Sequence, residues 1–122
     1  MKTLLLVDDD KGFVELLSDL FSEDGFNTLI ATSGNMALEV FKIHKDQIDL
    51  ILSDVRMPDG DGIVLLRGVR SISPETPPFL FYTGYSEISS QDAMSFGANG
   101  IIQKPVDYPR LLAKVNSFLG PR

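Results

Sequence analysis

Residues 4–10 read LLLVDDD, four consecutive apolar residues that run directly into three aspartates. An apolar strand without alternating polar residues is typical of a parallel sheet covered by helices on both faces, because neither side of such a strand meets water. The runs from Leu50 to Leu52 and from Phe79 to Tyr82 have the same character. These three runs predict the buried strands of a parallel β-sheet.

Segments with helical periodicity lie between the apolar runs. The first contains apolar residues at spacings i, i+3, i+4, i+7 and i+8, which place them on one helical face. These residues are Phe13, Leu16, Leu17, Leu20 and Phe21. Strand and helix alternate in this way to the end of the chain, which is typical of an α/β fold. Because crossovers between parallel strands are right-handed, five such units predict an open, doubly wound sheet with helices on both faces.

The other predicted strands and helices have weaker sequence signals, and they complete the alternation. They are a strand over residues 26–31, a helix from Ser33-Gly34 to Lys45, a helix from Ile63 to Arg70, a short fifth strand at Ile101-Ile102, and a final helix that ends at Gly120. The polar segment 86–96 is interpreted as a helix whose inward residues are Ile88, Ala93, Met94 and Phe96. We expect one domain over residues 1–119, followed by a tail or the start of a linker over residues 120–122.

Composition narrows the functions open to the chain. With 122 residues, 17 acidic and 11 basic, it carries a formal charge of −6, which disfavours direct binding to nucleic acid or to an anionic membrane. No stretch approaches the ~20 apolar residues that span a bilayer. The chain has no cysteine, so disulfides and thiolate chemistry are excluded, and this composition is compatible with the reducing cytoplasm.

Polar side chains follow the predicted strands where each strand ends, and doubly wound sheets bind ligands at that edge. After strands one, three, four and five come, in order, Asp8-Asp9-Asp10, Asp54, Thr83 and Lys104. If strands one and three are neighbours, their carboxylates lie within about 5 Å and repel by about 3 kcal/mol at an effective dielectric of about 20. Such a cluster favours a bound hard cation, and an all-oxygen site suits Mg²⁺, with Mn²⁺ as an alternative.

Five motifs in this order resemble the receiver domain of two-component response regulators of the chemotaxis-regulator type. They are Val7-Asp8-Asp9, residues 53–62 (SDVRMPDGDG), Tyr82-Thr83-Gly84, Gly97-Ala98 and Lys104-Pro105. The resemblance covers essentially the whole chain. It implies the flavodoxin-like strand order 2-1-3-4-5, a cis peptide bond before Pro105 and a cytoplasmic phosphorelay protein.

The resemblance also implies a role for each residue at the strand ends. Asp54 is the phosphoacceptor, which takes a phosphoryl group from a histidine kinase or a phosphotransfer protein. Asp8, Asp9 and Asp54 hold magnesium together with the backbone carbonyl of Arg56. The residues that bind the phosphoryl group are Thr83, Gly84 and Lys104. This function is a phosphoacceptor switch with slow self-catalysed phosphotransfer and autodephosphorylation, not a turnover enzyme.

Signalling in the resembled family passes through the face made by the fourth helix, fifth strand and fifth helix. Thr83 is expected to couple the phosphoryl group to this face, where a downstream output domain or protein binds or a phosphorylation-dependent dimer forms. Ile101 stands at a switch position where the family often has tyrosine or phenylalanine, which puts the usual threonine–aromatic switch in doubt. By the resemblance, Arg56 and Tyr85 flank the phosphoryl site and can shield the phosphoryl group from attacking water, so the sequence does not predict how long the phosphate lasts.

Several alternatives remain at the level of sequence. The chain could be a receiver-like adaptor that binds partners without phosphorylation, or a magnesium-dependent phosphohydrolase that forms an aspartyl phosphate. It could stand alone or be one part of a longer regulator. Asp10 is expected to cap the first helix instead of binding metal, and the run from Asp59 to Gly62 is expected to be a turn and helix cap instead of a calcium loop.

Overall fold

The architecture was taken from a computed structural model, which describes residues 1–84, 88–105 and 107–120. Within these residues strands and helices alternate strictly. The strands are β1 (Thr3–Val7), β2 (Asn27–Ala31), β3 (Leu50–Ser53), β4 (Phe79–Thr83) and β5 (Gly100–Gln103). The helices are α1 (Lys11–Glu23), α2 (Gly34–His44), α3 (Gly62–Ile72), α4 (Ser90–Ser95) and α5 (Tyr108–Leu119). The predicted α/β alternation is confirmed.

The five strands form one parallel sheet in the order β2-β1-β3-β4-β5. This is the doubly wound order 2-1-3-4-5 that the resemblance implied. In the register of β1 and β3, Leu5 lies opposite Ile51 and Val7 lies opposite Ser53. The two aspartates that follow these strands, Asp8 and Asp54, therefore leave the sheet side by side.

The sheet separates two apolar cores, because successive side chains of a strand point to opposite faces. Leu5 and Val7 pack with α2, α3 and α4 on one face, whereas Leu4 and Leu6 pack with α1 and α5 on the other. All four side chains are at most 2% exposed. The absence of polar alternation in β1 follows directly from this double coverage.

Three apolar residues predicted to face inward are exposed instead. Leu16 is 54% exposed, because the buried stripe of α1 runs through Val14, Leu17 and Phe21. Met94 and Phe96 are 55% and 37% exposed. Helix α4 has six residues and buries only Ala93, since one and a half turns present a single face to the sheet. Residues 86 and 87 of the predicted helix lie outside the described residues.

Side-chain caps begin the helices next to the strand ends. The Asp10 carboxylate accepts a hydrogen bond from the Phe13 amide at 3.1 Å, so Asp10 caps α1 as expected. The Asp61 carboxylate accepts one from the Val64 amide at 2.9 Å and caps α3. The run from Asp59 to Gly62 is thus a turn and a helix cap.

The loop after β3 is held against both neighbouring helices. A Cβ atom on Gly62 would lie 2.1 Å from the Asp54 carbonyl oxygen, so only glycine fits where α3 begins. At the start of α2, the Gly34 amide donates to the Gly60 carbonyl at 2.6 Å, and the Asn35 side chain donates to the Asp59 carboxylate at 3.0 Å. These contacts fix the segment that carries Asp54 and Arg56. In the described part of the chain, no helix has the length and apolar character needed to cross a membrane.

Candidate functional site

The carboxyl ends of four strands bring together the predicted site residues. Asp8 follows β1, Asp54 follows β3, Thr83 ends β4 and Lys104 follows β5. The Lys104 amide donates to the Thr83 carbonyl at 2.8 Å, which joins the ends of β4 and β5. The peptide bond between Lys104 and Pro105 is cis. The expected cluster at one edge of the sheet is present.

Three carboxylates form the acidic part of this site. One carboxylate oxygen from each of Asp8, Asp9 and Asp54 lies within 4.8 Å of the other two. Asp8 is buried, Asp54 is half-buried and Asp9 is exposed. The cluster therefore has one side against the core and one side open to solvent.

Lys104 bridges the two inner carboxylates. Its Nζ lies 3.2 Å from Asp8 Oδ2 and 3.3 Å from Asp54 Oδ2. The other oxygens of these carboxylates are held by the backbone: Asp8 Oδ1 accepts from the Asp10 amide at 2.9 Å, and Asp54 Oδ1 accepts from the Val55 amide at 2.7 Å. Both carboxylates thus have a fixed orientation.

Burial and charge act against each other at this site. Desolvation by burial raises the pKa of Asp8 above its usual value, although the Asp10 amide and the Lys104 ammonium lower it in part. Burial lowers the pKa of Lys104, but the combined attraction and hydrogen bonds of Asp8 and Asp54 outweigh this effect and leave the pKa raised. Lys104 is therefore a firmly protonated cation at neutral pH.

The donor set fits a hard divalent cation. Three carboxylates against one ammonium leave two uncompensated negative charges, and every candidate ligand atom is an oxygen. The open side at Asp9 gives access from solvent. The Arg56 side chain, two positions after Asp54, is exposed.

The remaining predicted residues lie on β4 and β5 or directly after β4. Thr83 is 1% exposed at the end of β4, and Gly84 is half-buried directly after it. Ile101 is half-buried and lies opposite Phe81 in the register of β4 and β5, packed against the core on the α2, α3 and α4 face. Tyr85, predicted to flank the site, lies outside the described residues.

Two aromatic residues at the site were not predicted from the sequence. The rings of Phe13 and Tyr82 lie close to the Lys104 ammonium, at 5.0 Å and 5.3 Å from ring centroid to Nζ. Alternation along β4 could have placed Tyr82 on the face opposite Thr83, which is the face of α1. Nothing in the sequence pattern indicates that Phe13 and Tyr82 would meet beside Lys104, which follows β5.

The fold and the site define a doubly wound α/β protein with an acidic cluster and a bridging lysine at the carboxyl edge of its sheet. Comparison with known proteins places it more closely. Residues 4–116 match the sequence profile of the response regulator receiver domain, so the chain belongs to the receiver domain family of two-component response regulators. The general function of this family is phosphorylation-based signalling.

Individual relatives agree with this assignment. The transcriptional regulatory protein CpxR of Escherichia coli K12 is 34% identical over 119 residues, which are 98% of this chain and 50% of CpxR. The chain thus spans about half the length of this relative. Among solved structures, a receiver domain protein from Clostridium thermocellum has a TM-score of 0.90 at 27% identity, covering 98% of this chain and 94% of its own.

A second solved structure is described as the CheX-CheY-BeF3-Mg complex from Borrelia burgdorferi. It has a TM-score of 0.83 at 29% identity and covers 95% of this chain and 87% of its own.

Proposed function

We propose that this chain is a phosphoacceptor switch in which Asp54 receives a phosphoryl group from a histidine kinase or a phosphotransfer protein. The observation that carries the proposal is the convergence of three carboxylates and one ammonium at the carboxyl edge of the sheet. Asp54 is the member of this cluster that follows the central strand β3, and both of its oxygens have a partner. Family membership supports the same reaction class.

The chemical step uses an ionised carboxylate as the nucleophile. The Val55 amide holds Asp54 Oδ1, so Oδ2, on the side of Lys104, is the oxygen that attacks phosphorus. The Oδ2–P bond forms as the phosphorus–nitrogen bond of the donor phosphohistidine breaks. The imidazole leaves with the electron pair of that bond and a proton from water, and an acyl phosphate remains on the chain.

Magnesium is the cofactor that the site fits, with manganese as an alternative. Asp8, Asp9 and Asp54 would hold the ion, together with the backbone carbonyl of Arg56. When bound, a divalent cation supplies charge neutralisation at the phosphoryl oxygens. A related complex described as containing CheY, BeF3 and magnesium supports this choice.

The residues around Asp54 have separate roles in binding the phosphoryl group. Lys104 pairs with one phosphoryl oxygen as a point charge, and the Thr83 hydroxyl donates a hydrogen bond to another. Gly84 has no side chain and leaves room for entry. The Asp10 carboxylate caps α1 and is not a proposed ligand, whereas the Asp10 amide holds Asp8 Oδ1.

The output surface is the face formed by α4, β5 and α5. Thr83 and Ile101 are the proposed switch residues, and Ile101 lies in the strand that joins Thr83 to this face. We propose a downstream output domain or protein as the partner, with a phosphorylation-dependent dimer as a second mode. The proposed domain spans residues 1–119, and its proposed location is the cytoplasm. Pro121 and Arg122 lie outside the described residues.

The test is phosphorylation with a small donor. Acetyl phosphate and Mg²⁺ should add one phosphoryl group by intact-mass measurement, and the adduct should vanish in Asp54→Asn and in excess chelator. Asp10→Asn is the matched control, since it removes a neighbouring carboxylate but keeps a good helix cap. An adduct of equal yield in Asp54→Asn would contradict the assignment, as would one that chelator leaves unchanged.

A further inference from the structure

The Lys104 ammonium has two kinds of partner. They are the Asp8 and Asp54 carboxylates and the rings of Phe13 and Tyr82. The ring centroids lie 5.0 Å and 5.3 Å from Nζ, within the ~6 Å over which a cation is attracted to an aromatic face. The two rings are themselves in contact range, with centroids 5.9 Å apart and planes tilted by 44°.

The strand order explains why Lys104 needs such support. Lys104 follows β5, and β4 separates β5 from β3. Two strand spacings amount to about 10 Å, so the lysine side chain must extend across the end of β4 to meet Asp54. A four-carbon stem that crosses this distance loses rotamer freedom when it is held in one geometry. Tyr82 lies on β4, the strand that is crossed, and Phe13 lies on α1 above the same face.

We propose that Phe13 and Tyr82 are positioning residues that hold the Lys104 ammonium at the acceptor carboxylate before the phosphoryl group arrives. This inference rests on the proposed function, in which Lys104 pairs with a phosphoryl oxygen. The two carboxylates are also proposed to bind a metal ion, and Asp54 is proposed to bond to phosphorus, whereas the rings do neither. They remain as partners of the ammonium while Asp54 becomes an acyl phosphate.

A purely structural role is the competing explanation, because Tyr82 is only 7% exposed and both rings pack in the core between the sheet, α1 and α5. The two explanations differ in what happens to Lys104 itself. Core filling requires only apolar volume, which leucine also provides. Positioning requires an aromatic face, so it is lost in leucine variants and kept in Tyr82→Phe and Phe13→Tyr.

The first experiment measures how firmly Lys104 is held in the unphosphorylated chain. In protein with ¹³C at Cε of its six lysines, the signal lost in Lys104→Met identifies Lys104. The order parameter of this Cε group, obtained from ¹³C relaxation, should fall in Phe13→Leu and Tyr82→Leu, because the ammonium loses an aromatic partner, and should keep its parent value in Tyr82→Phe. A Lys104 order parameter that neither leucine variant lowers would overturn the proposal. Phe13 is half-buried, so Phe13→Leu keeps the test decisive even if Tyr82→Leu fails to fold.

The second experiment measures the rate of phosphorylation by acetyl phosphate in Mg²⁺. Phe13→Leu should slow the reaction by about three- to tenfold, the range that a partly exposed cation–aromatic contact represents. Phe13→Tyr should restore the parent rate. Phe26→Leu is the matched control, because Phe26 is a buried ring of the same core that packs on Phe21, and it should leave the rate unchanged.

A double variant separates this inference from the proposed function. In a Lys104→Met background, Phe13→Leu should produce no further slowing, since the ring acts through the ammonium. Equal slowing with and without Lys104 would overturn the positioning role. If the parent gains no phosphoryl group on Asp54, the proposed function fails, and the lysine spectra still decide whether the rings hold Lys104.

Discussion

Replacement of Lys104 by methionine tests the electrostatics of the site most directly. Methionine keeps an unbranched apolar stem and removes the charge that lies 3.2 Å from Asp8 and 3.3 Å from Asp54. Each contact corresponds to about 5 kcal/mol of Coulomb energy at an effective dielectric of about 20, before the cost of desolvation. Because the Lys104 side chain is 29% exposed, the net loss lies between that of surface and buried pairs, at about 2 kcal/mol. We expect the melting temperature to fall by about 8 °C without metal.

Magnesium should reverse much of this loss. In the parent, Lys104 already neutralises part of the negative charge to which Mg²⁺ binds. In Lys104→Met this neutralising charge is removed, so Mg²⁺ relieves more repulsion between the carboxylates. Mg²⁺ should therefore stabilise the variant more than the parent, by about 1 kcal/mol or more in urea titrations followed by circular dichroism. Lys114→Met, which removes a lysine that lies over the Phe118 ring, is the control and should show no such coupling to Mg²⁺. An equal deficit with and without Mg²⁺ would refute this reasoning.

Two further predictions concern the stability of the fold. Gly62→Ala should destabilise the fold by more than about 2 kcal/mol in urea, because its Cβ would lie 2.1 Å from the Asp54 carbonyl, whereas Gly12→Ala, with its nearest contact at 3.7 Å, should be neutral or stabilising. Equal effects of the two would contradict the steric argument. The Tyr108 hydroxyl shares its one proton between Asp24 Oδ2 at 2.7 Å and the Leu20 carbonyl oxygen at 3.1 Å, and burial together with the negative charge of Asp24 raises its pKa. A group whose pKa is raised by folding stabilises the folded state below its unfolded pKa of 10.0, and this stabilisation is lost as pH rises beyond that value. Tyr108→Phe should therefore be less stable than the parent by about 1 kcal/mol at pH 7, and the difference should shrink above pH 10.0. A stability difference that stays constant above pH 10.0 would contradict the raised pKa, and equal stability of the variant and the parent at pH 7 would show that the hydroxyl hydrogen bonds contribute nothing.

Much of the fold could be predicted because its signals are local. The run from Leu4 to Val7 has no polar residue, and the structure gives the reason, with helices on both faces of β1. The rule that parallel strands end at one edge predicts the proximity of Asp8 and Asp54 on the condition that strands one and three are neighbours. The strand order itself came from the family resemblance, since no local pattern states which strands are neighbours.

The errors arise where burial depends on geometry that spacing does not encode. Periodicity placed Leu16 on an apolar stripe, but packing against the sheet centres that stripe on Val14, Leu17 and Phe21. The sequence predicts inward positions for Met94 and Phe96, but α4 is too short to bury them. Such residues lie at the rim of an apolar face, where a small rotation of the helix decides between core and solvent.

The site residues that prediction missed are non-local in a stronger sense. Phe13 belongs to α1, Tyr82 belongs to β4 and Lys104 follows β5. The two rings meet the ammonium only because the Lys104 side chain extends across the end of β4. A lysine after a strand is ordinarily a solvated charge. Only the assembled sheet shows that its ammonium lies between carboxylates and rings.

The way Lys104 is shared bears on how such a site could switch. Its ammonium already has two anionic partners, Asp8 and Asp54, in the chain without a phosphoryl group. Transfer to Asp54 would replace one of these partners with a phosphoryl oxygen, so Lys104 would exchange one anion for another instead of gaining its first. Two states that differ by such an exchange can lie close in free energy, and a small differential interaction at the proposed output surface of α4, β5 and α5 then suffices to shift the population between them. A lysine without partners in the unmodified chain would bias the site strongly toward the phosphorylated form and leave little range for a partner to control.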